Sequence, residues 1–218
     1  MNKAEIAKRI VDIGVVPVVR ASSPAQAIAA AEAVCAGGIS VVEVTMTVPG
    51  AIEVIAQLAK SMGNSVLIGA GTVLNADSAR RCLDAGAQFL VSPGFDLETV
   101  KFANARNVLI TAGALTPTEV ITAWNAGSDL VKIFPCGNVG GAKYIKALKG
   151  PLPDIPMIPT GGVNLNTAAE FIQAGSAAVG VGGELILASA LKSGNTREIT
   201  ELAKQYVSIV HEARAAKA

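Results

Sequence analysis

Lys132 stands in the middle of Asp129-Leu-Val-Lys-Ile-Phe-Pro135, a short apolar run bounded by Gly127 and Pro135. Such a run reads as a strand. Its side chains alternate, so Leu130, Lys132 and Phe134 share one face and Val131 and Ile133 the other. An amine on a buried strand loses hydration, which favours its neutral, nucleophilic form and opens Schiff-base chemistry. A lysine there can equally snorkel to solvent or pair with a carboxylate, and spacing alone leaves both readings open. The second reactive group is Glu43, in the Val-rich run 40–47. There Val41, Glu43, Thr45 and Thr47 share a face, and Val42, Val44 and Met46 share the apolar one. A carboxylate in such a strand is costly unless paired or functional. Beside Lys132 it is either the acid/base that a Schiff-base mechanism needs or a structural ion pair bracing the interior.

A second constellation is glycine-rich. Pro159-Thr-Gly-Gly-Val163 and Gly180-Val-Gly-Gly-Glu184 each place a glycine pair after a strand. Turns of this kind let backbone N–H groups face an anion, although tight strand-to-helix turns need glycine as well.

These residues must be positioned by a regular alternation. Strands are expected at 15–20, 40–47, 66–72, 89–92, 108–112, 129–134, 156–160 and 177–181. Each is followed by a helix, at 24–36, 49–62, 77–84, 96–106, 116–126, 142–149, 164–174 and 185–192. A helix at 2–12 precedes them and one at 198–216 closes the chain. Alternating β and α elements imply a parallel sheet with right-handed crossovers. Eight units in about 200 residues fit the α/β class and a closed (β/α)8 TIM barrel with an N-terminal helix. Ala-Gly recurs at 36–37, 85–86, 126–127 and 174–175. Each pair ends a helix just before an even-numbered strand, where glycine serves as a left-handed cap. No linker or low-complexity segment interrupts the chain, so 1–218 reads as one domain.

In such a barrel the reactive groups sit at the C-terminal strand ends. The alternation groups Val16, Val18 and Arg20 on the first strand. It groups Ile68, Ala70 and Thr72 on the third, and Ile158, Thr160 and Gly162 on the seventh. With the apolar alternates facing helices, Arg20, Glu43, Thr72, Lys132 and Thr160 converge on the barrel mouth.

Composition excludes several classes. Of 218 residues, 51% are hydrophobic and only 16% charged, so most of the chain must be buried. The net charge of +1 comes without a basic patch, which speaks against nucleic acid or an anionic membrane as partner. No run is apolar and long enough to span a bilayer. Cys35, Cys82 and Cys136 have no metal-ligand spacing, and an odd, scattered set suits a reducing cytoplasm. His211, the only histidine, reads as a solvated helix residue. Cys136 reads as a small packed side chain, and Trp124 as core or helix-interface packing.

The chain resembles the 2-keto-3-deoxy-6-phosphogluconate (KDPG) / 4-hydroxy-2-oxoglutarate (KHG) aldolases over nearly its whole length. The motifs are Gly37-Gly-Ile-Ser-Val-Val-Glu-Val-Thr45, Gly69-Ala-Gly-Thr-Val73, Val91-Ser-Pro-Gly94, Val131-Lys-Ile-Phe-Pro135 and Pro159-Thr-Gly-Gly162. The resemblance implies a (β/α)8 barrel, usually a homotrimer, with class I chemistry that uses no metal or cofactor. By the same resemblance Lys132 forms the Schiff base with a 2-keto acid and Glu43 is the general acid/base. Arg20, Thr72 and Thr160 hold the pyruvate end, and Pro93 and Phe134 also contact substrate. Gly161, Gly162, Gly182 and Gly183 take the phosphate. The implied products are pyruvate and an aldehyde, glyceraldehyde 3-phosphate or glyoxylate.

Two positions depart from the family pattern. Thr47 stands where many members carry an arginine, so carboxylate recognition leans on Arg20 and the threonines. Glu184 stands where a small or hydroxyl residue often follows the glycines. A carboxylate there repels phosphate unless it points outward as a first-turn acid. An unphosphorylated or other 2-keto-3-deoxy acid, such as the galactonate epimer, is the alternative substrate. A phosphosugar epimerase or isomerase, or a non-catalytic binding barrel, are the competing functions.

Overall fold

The computed structural model describes residues 1–216. Eight strands are present: β1 (Val15–Val19), β2 (Val41–Thr45), β3 (Leu67–Gly71), β4 (Phe89–Val91), β5 (Leu109–Ala114), β6 (Leu130–Ile133), β7 (Met157–Pro159) and β8 (Val179–Val181). All strand pairs are parallel, in the order β7-β6-β5-β4-β3-β2-β1-β8. Thr160, just past β7, bridges Gly180 of β8 and closes the ring. Every strand residue is buried. Parallel strands covered on both faces require this, and it explains their unbroken Val, Ile and Leu content.

The helices are α1 (Lys3–Ile13), α2 (Pro24–Ala36), α3 (Ala51–Met62), α4 (Ala76–Asp84), α5 (Leu97–Ala105), α6 (Pro117–Asn125), α7 (Ala142–Lys149), α8 (Ala168–Gln173), α9 (Ala188–Ser193) and α10 (Arg197–Ala215). Helix α1 starts with a reciprocal capping box between Asn2 and Glu5. It buries Ile6 and Ile10 at the N-terminal end of the barrel. Lys3 anchors it there, donating to Asn104 Oδ1 at 2.7 Å and pairing with Asp129 at 3.0 Å. At the other terminus α10 packs on α2 and α8. Arg214 fixes its end by donating to the carbonyls of Val11, Asp12 and Ala177. The end of the barrel left uncovered by α1 is the opposite one, where the strand C-termini lie.

Several expectations are corrected. On β3 the inward residues are Gly69 and Gly71, not Ile68 and Ala70. A Cβ on Gly69 would lie 2.2 Å from the Phe89 ring, and one on Gly71 1.9 Å from Glu43 Oε1. The apolar pattern reads one residue out of phase because the inward positions need to be empty rather than polar. Of the four Ala-Gly pairs, Gly86, Gly127 and Gly175 are left-handed, with φ of 101°, 95° and 102°. At the first pair Gly38 takes that conformation, φ 97°, while Gly37 gives Ala203 of α10 room to approach. The turn at 165–167 delays α8 to Ala168, and the turn at 183–185 delays α9 to Ala188. Trp124 is not in the core: on α6 it is 38% exposed, one turn from Ile121 at 42%. His211 is exposed on α10, as its surroundings suggest.

Candidate active site

Strands β2 and β6 lie four places apart in a ring of eight, so they face each other across the barrel. Glu43 and Lys132 project from them into the centre. Nζ and Oε1 stand 3.5 Å apart, with the side chains 3% and 6% exposed respectively for the acid and the amine. At that separation the charges attract, but Oε1 accepts no hydrogen bond from any group among the described residues. A buried carboxylate oxygen left in this state has its bonding capacity free for something that enters the site. About 10 Å³ of free space adjoins the pair, the room of roughly one water. Val16, Phe89, Val91, Thr111 and Ile158 line it, with Ile10 of α1 beneath. These apolar walls strengthen any charge interaction inside them.

Glycines make this centre possible. Gly71 lets the Glu43 carboxylate lie against the β3 backbone, and Gly69 lets the Phe89 ring lie flat beside it. Gly180 gives the same room to Thr160, whose Oγ1 would be 2.2 Å from a Cβ there. Gly113, the register partner of Lys132, is crossed by the backbone of Pro93 and Gly94. Ser92 holds that crossing in place, donating to Gly94 O at 2.7 Å and accepting from Gly113 N at 3.2 Å.

Thr160 and Gly180 also line an outer cleft, so the two spaces share a wall. The cleft is bounded by Val18, Arg20, Phe134, Gly161, Gly162, Val163, Gly182, Gly183 and Glu184. Phe134 lines the cleft and reaches back to the pair, its ring centroid 5.6 Å from Lys132 Nζ. Gly161 and Gly162 both have positive φ, 87° and 79°, and Gly162 packs on the backbone of Gly137 at a separation that admits no side chain. The βα turn after β7 therefore has to be glycine.

The expected residues fall into three groups. Glu43, Lys132 and Thr160 meet at the centre. Arg20, Phe134, Gly161, Gly162, Gly182 and Gly183 line the cleft. Thr72 and Pro93 line neither space, though Thr72 directly follows Gly71, on which Glu43 rests. Thr72 adopts φ 58°, a left-handed conformation that costs a β-branched residue about 1–3 kcal/mol and tends to persist at functional edges. Cys136 is fully buried, and burial pushes its thiol up to about 11, as suits a packing residue. The sequence reading missed Phe89, Val91, Thr111 and Ser92. The period-two signal in 89–92 and 108–112 marks their faces, but nothing there is charged to draw attention.

The family model "KDPG and KHG aldolase" matches residues 6–202. A 2-dehydro-3-deoxy-phosphogluconate aldolase of Treponema pallidum is 35% identical, across 91% of this chain and 94% of the relative. A KHG/KDPG aldolase of Escherichia coli is 33% identical, across 88% of this chain and 90% of the relative. The crystal structure of a KDPG aldolase from Legionella pneumophila, with pyruvate captured as a covalent carbinolamine, superposes with a TM-score of 0.84. It is 32% identical, and the match covers 91% of this chain and 96% of that one.

Proposed function

Because the chain belongs to the KDPG and KHG aldolase family, whose members are pyruvate-dependent lyases, we propose that it cleaves a 2-keto-3-deoxy sugar acid to pyruvate and an aldehyde, with Lys132 as nucleophile and Glu43 as acid/base. The observation that carries this is the unbonded Glu43 Oε1, 3.5 Å from Lys132 Nζ inside an apolar barrel.

Lys132 passes a proton to Glu43, its amine attacks the C2 ketone, and the carbinolamine takes that proton back as it loses water to give an iminium. Glu43 moves the protons of both steps. The iminium then draws the electrons of the C3–C4 bond as the C4 hydroxyl yields its proton to Glu43, and the aldehyde leaves. The protonated Glu43 returns that proton to C3 of the enamine, and water releases pyruvate and the free amine. One carboxylate serves all these transfers because it faces the nucleophile directly and holds no competing bond. Thr160, which lines both spaces, borders the pyruvate portion. Thr72 and Pro93, which line neither space, are assigned to the pyruvate end as supports of its walls: Thr72 follows Gly71, on which Glu43 rests, and the Pro93 backbone crosses Gly113 beside Lys132. Arg20 supplies the cation for the substrate carboxylate, and Phe134 separates the reacting carbons from the tail. Gly161, Gly162, Gly182 and Gly183 receive the tail.

The substrates named for the relatives, phosphogluconate-type acids and 4-hydroxy-2-oxoglutarate, are the first candidates. The unphosphorylated acid is favoured by one specific feature, the carboxylate of Glu184 in the cleft. The same reading makes the enzyme a homotrimer of the cytoplasm. The exposed pair Ile121 and Trp124 on α6 supports self-association, and three unpaired cysteines support a reducing compartment. No helix among the described residues is long and apolar enough to cross a membrane.

Incubation with a 2-keto-3-deoxy acid and a pyruvate-specific readout tests the activity. Pyruvate release by the wild type, lost in Lys132→Ala, is expected. Retained release in Lys132→Ala would remove the Schiff-base reading.

A further inference from the structure

We propose that Glu184 makes the outer cleft a receptor for an uncharged, hydroxyl-bearing aldehyde tail and sets the enzyme's preference for an unphosphorylated 2-keto-3-deoxy acid; this rests on the aldolase reading above. Glu184 lies on the crest of the turn after β8 and lines the cleft beside Gly182 and Gly183. The turn is firmly held. Leu185 and Ile186 donate to Gly182 O at 3.0 and 2.8 Å, and both side chains are buried. No helix begins there, since α9 starts only at Ala188, so Glu184 is not a first-turn acid spent on a helix dipole. It accepts no hydrogen bond and forms no ion pair among the described residues. Its charge also reaches inward. The phenol of Tyr206, fully buried, is pushed up first by burial and then by Glu184.

Among the described residues the only other charged one lining the cleft is Arg20, also without an ion-pair partner among them. The two charges cancel, and the substrate's own carboxylate engages the arginine. The cleft then retains a carboxylate and no surplus positive charge. Lys192 and Lys143 line neighbouring grooves, the first on the far side of Arg20 and the second beside Glu170. A phosphate, with a charge of about −1.5 to −2, meets repulsion in this setting. Hydroxyl groups do not: an ionised carboxylate accepts their hydrogen bonds in charge-assisted form. The glycine turns that line the same cleft, Gly161-Gly162 and Gly182-Gly183, leave room for such a tail without adding charge.

The test compares kcat/KM for 2-keto-3-deoxygluconate and its 6-phosphate in the wild type and in Glu184→Gln. Wild-type preference for the unphosphorylated acid by about tenfold or more is expected, with the ratio moving at least about tenfold toward the phosphate ester in the variant. A general loss of fold lowers both values together and leaves the ratio unmoved, so the ratio is the readout. Wild-type preference for the ester, or one ratio in both proteins, overturns the proposal. Borohydride trapping of pyruvate on wild-type Lys132, run alongside, separates the two levels. An adduct with the wrong ratio overturns only the role of Glu184. No adduct and no cleavage of either acid overturns the aldolase reading with it.

Discussion

The carboxylate of Glu43 rests on the α-carbon of Gly71: a Cβ there would meet Oε1, Cδ and Cγ at 1.9, 2.5 and 2.6 Å. Both residues are buried on neighbouring strands, so the acid has nowhere to retreat. Gly71→Ala therefore displaces Glu43 from Lys132. We expect a stability loss of about 1–3 kcal/mol from overpacking and a fall in kcat of roughly 100-fold or more from the lost acid/base. Urea unfolding and steady-state kinetics measure the two. Full activity in Gly71→Ala would show that the carboxylate's position is not critical.

Lys132 and Glu43 are a buried pair, and breaking it from one side strands a charge. Lys132→Met is expected to cost about 3–5 kcal/mol. Adding Glu43→Gln removes the stranded carboxylate and returns most of that loss, while activity stays absent. Chemical denaturation of both single variants and the double variant closes the cycle. Equal, additive losses would mean that the two groups do not sense each other.

Thr72 holds a left-handed backbone next to the site, with φ 58°. Glycine takes that conformation without strain, so Thr72→Gly is expected to melt at the same temperature or higher. It also loosens the backbone next to Gly71, on which Glu43 rests, so kcat for the keto acid falls several-fold. Thermal unfolding and kinetics on one preparation separate the effects. A marked drop in Tm would show that Thr72 is structural rather than strained for function.

Much of the fold is legible in the sequence because its cause is local. Strand runs of Val and Ile, caps such as Ser23-Pro24 and Thr116-Pro117, and Gly86, Gly127 and Gly175 each fix their own element. The face of β3 was misread because inward Gly69 and Gly71 answer to Phe89 and Glu43 on other strands, a demand no local pattern carries. Lys132 and Glu43 could be paired because charge in an apolar strand is conspicuous. Phe89 and Thr111 share the same chamber but look like ordinary core residues. Arg20 is legible as a cleft residue from its place just past Val19, the last residue of β1, and it lines the cleft together with Glu184.

Alkaline pH should weaken the fold through its thiols. Cys35, Cys82 and Cys136 are each raised from 9.0 to about 11, chiefly by burial, with Glu32 adding to the shift at Cys35 and Arg81 opposing it at Cys82. The native state keeps these protons after the unfolded chain has begun to release them. Their contribution is thus complete below about pH 9 and is lost as pH rises toward 11. Tm is expected to decline across that window, and less steeply in Cys82→Ala. A flat Tm from pH 9 to 11 would contradict the burial of these groups.

The central claim is that Lys132 forms a covalent bond with the keto acid. Reduction of a pyruvate–enzyme mixture with borohydride, followed by proteolysis and peptide mass analysis, tests it directly. A single reduced pyruvyl adduct on Lys132, absent from Lys132→Ala and from mixtures without pyruvate, is the expected result. An adduct on another lysine, or none in an enzyme that still cleaves its substrate, would contradict it.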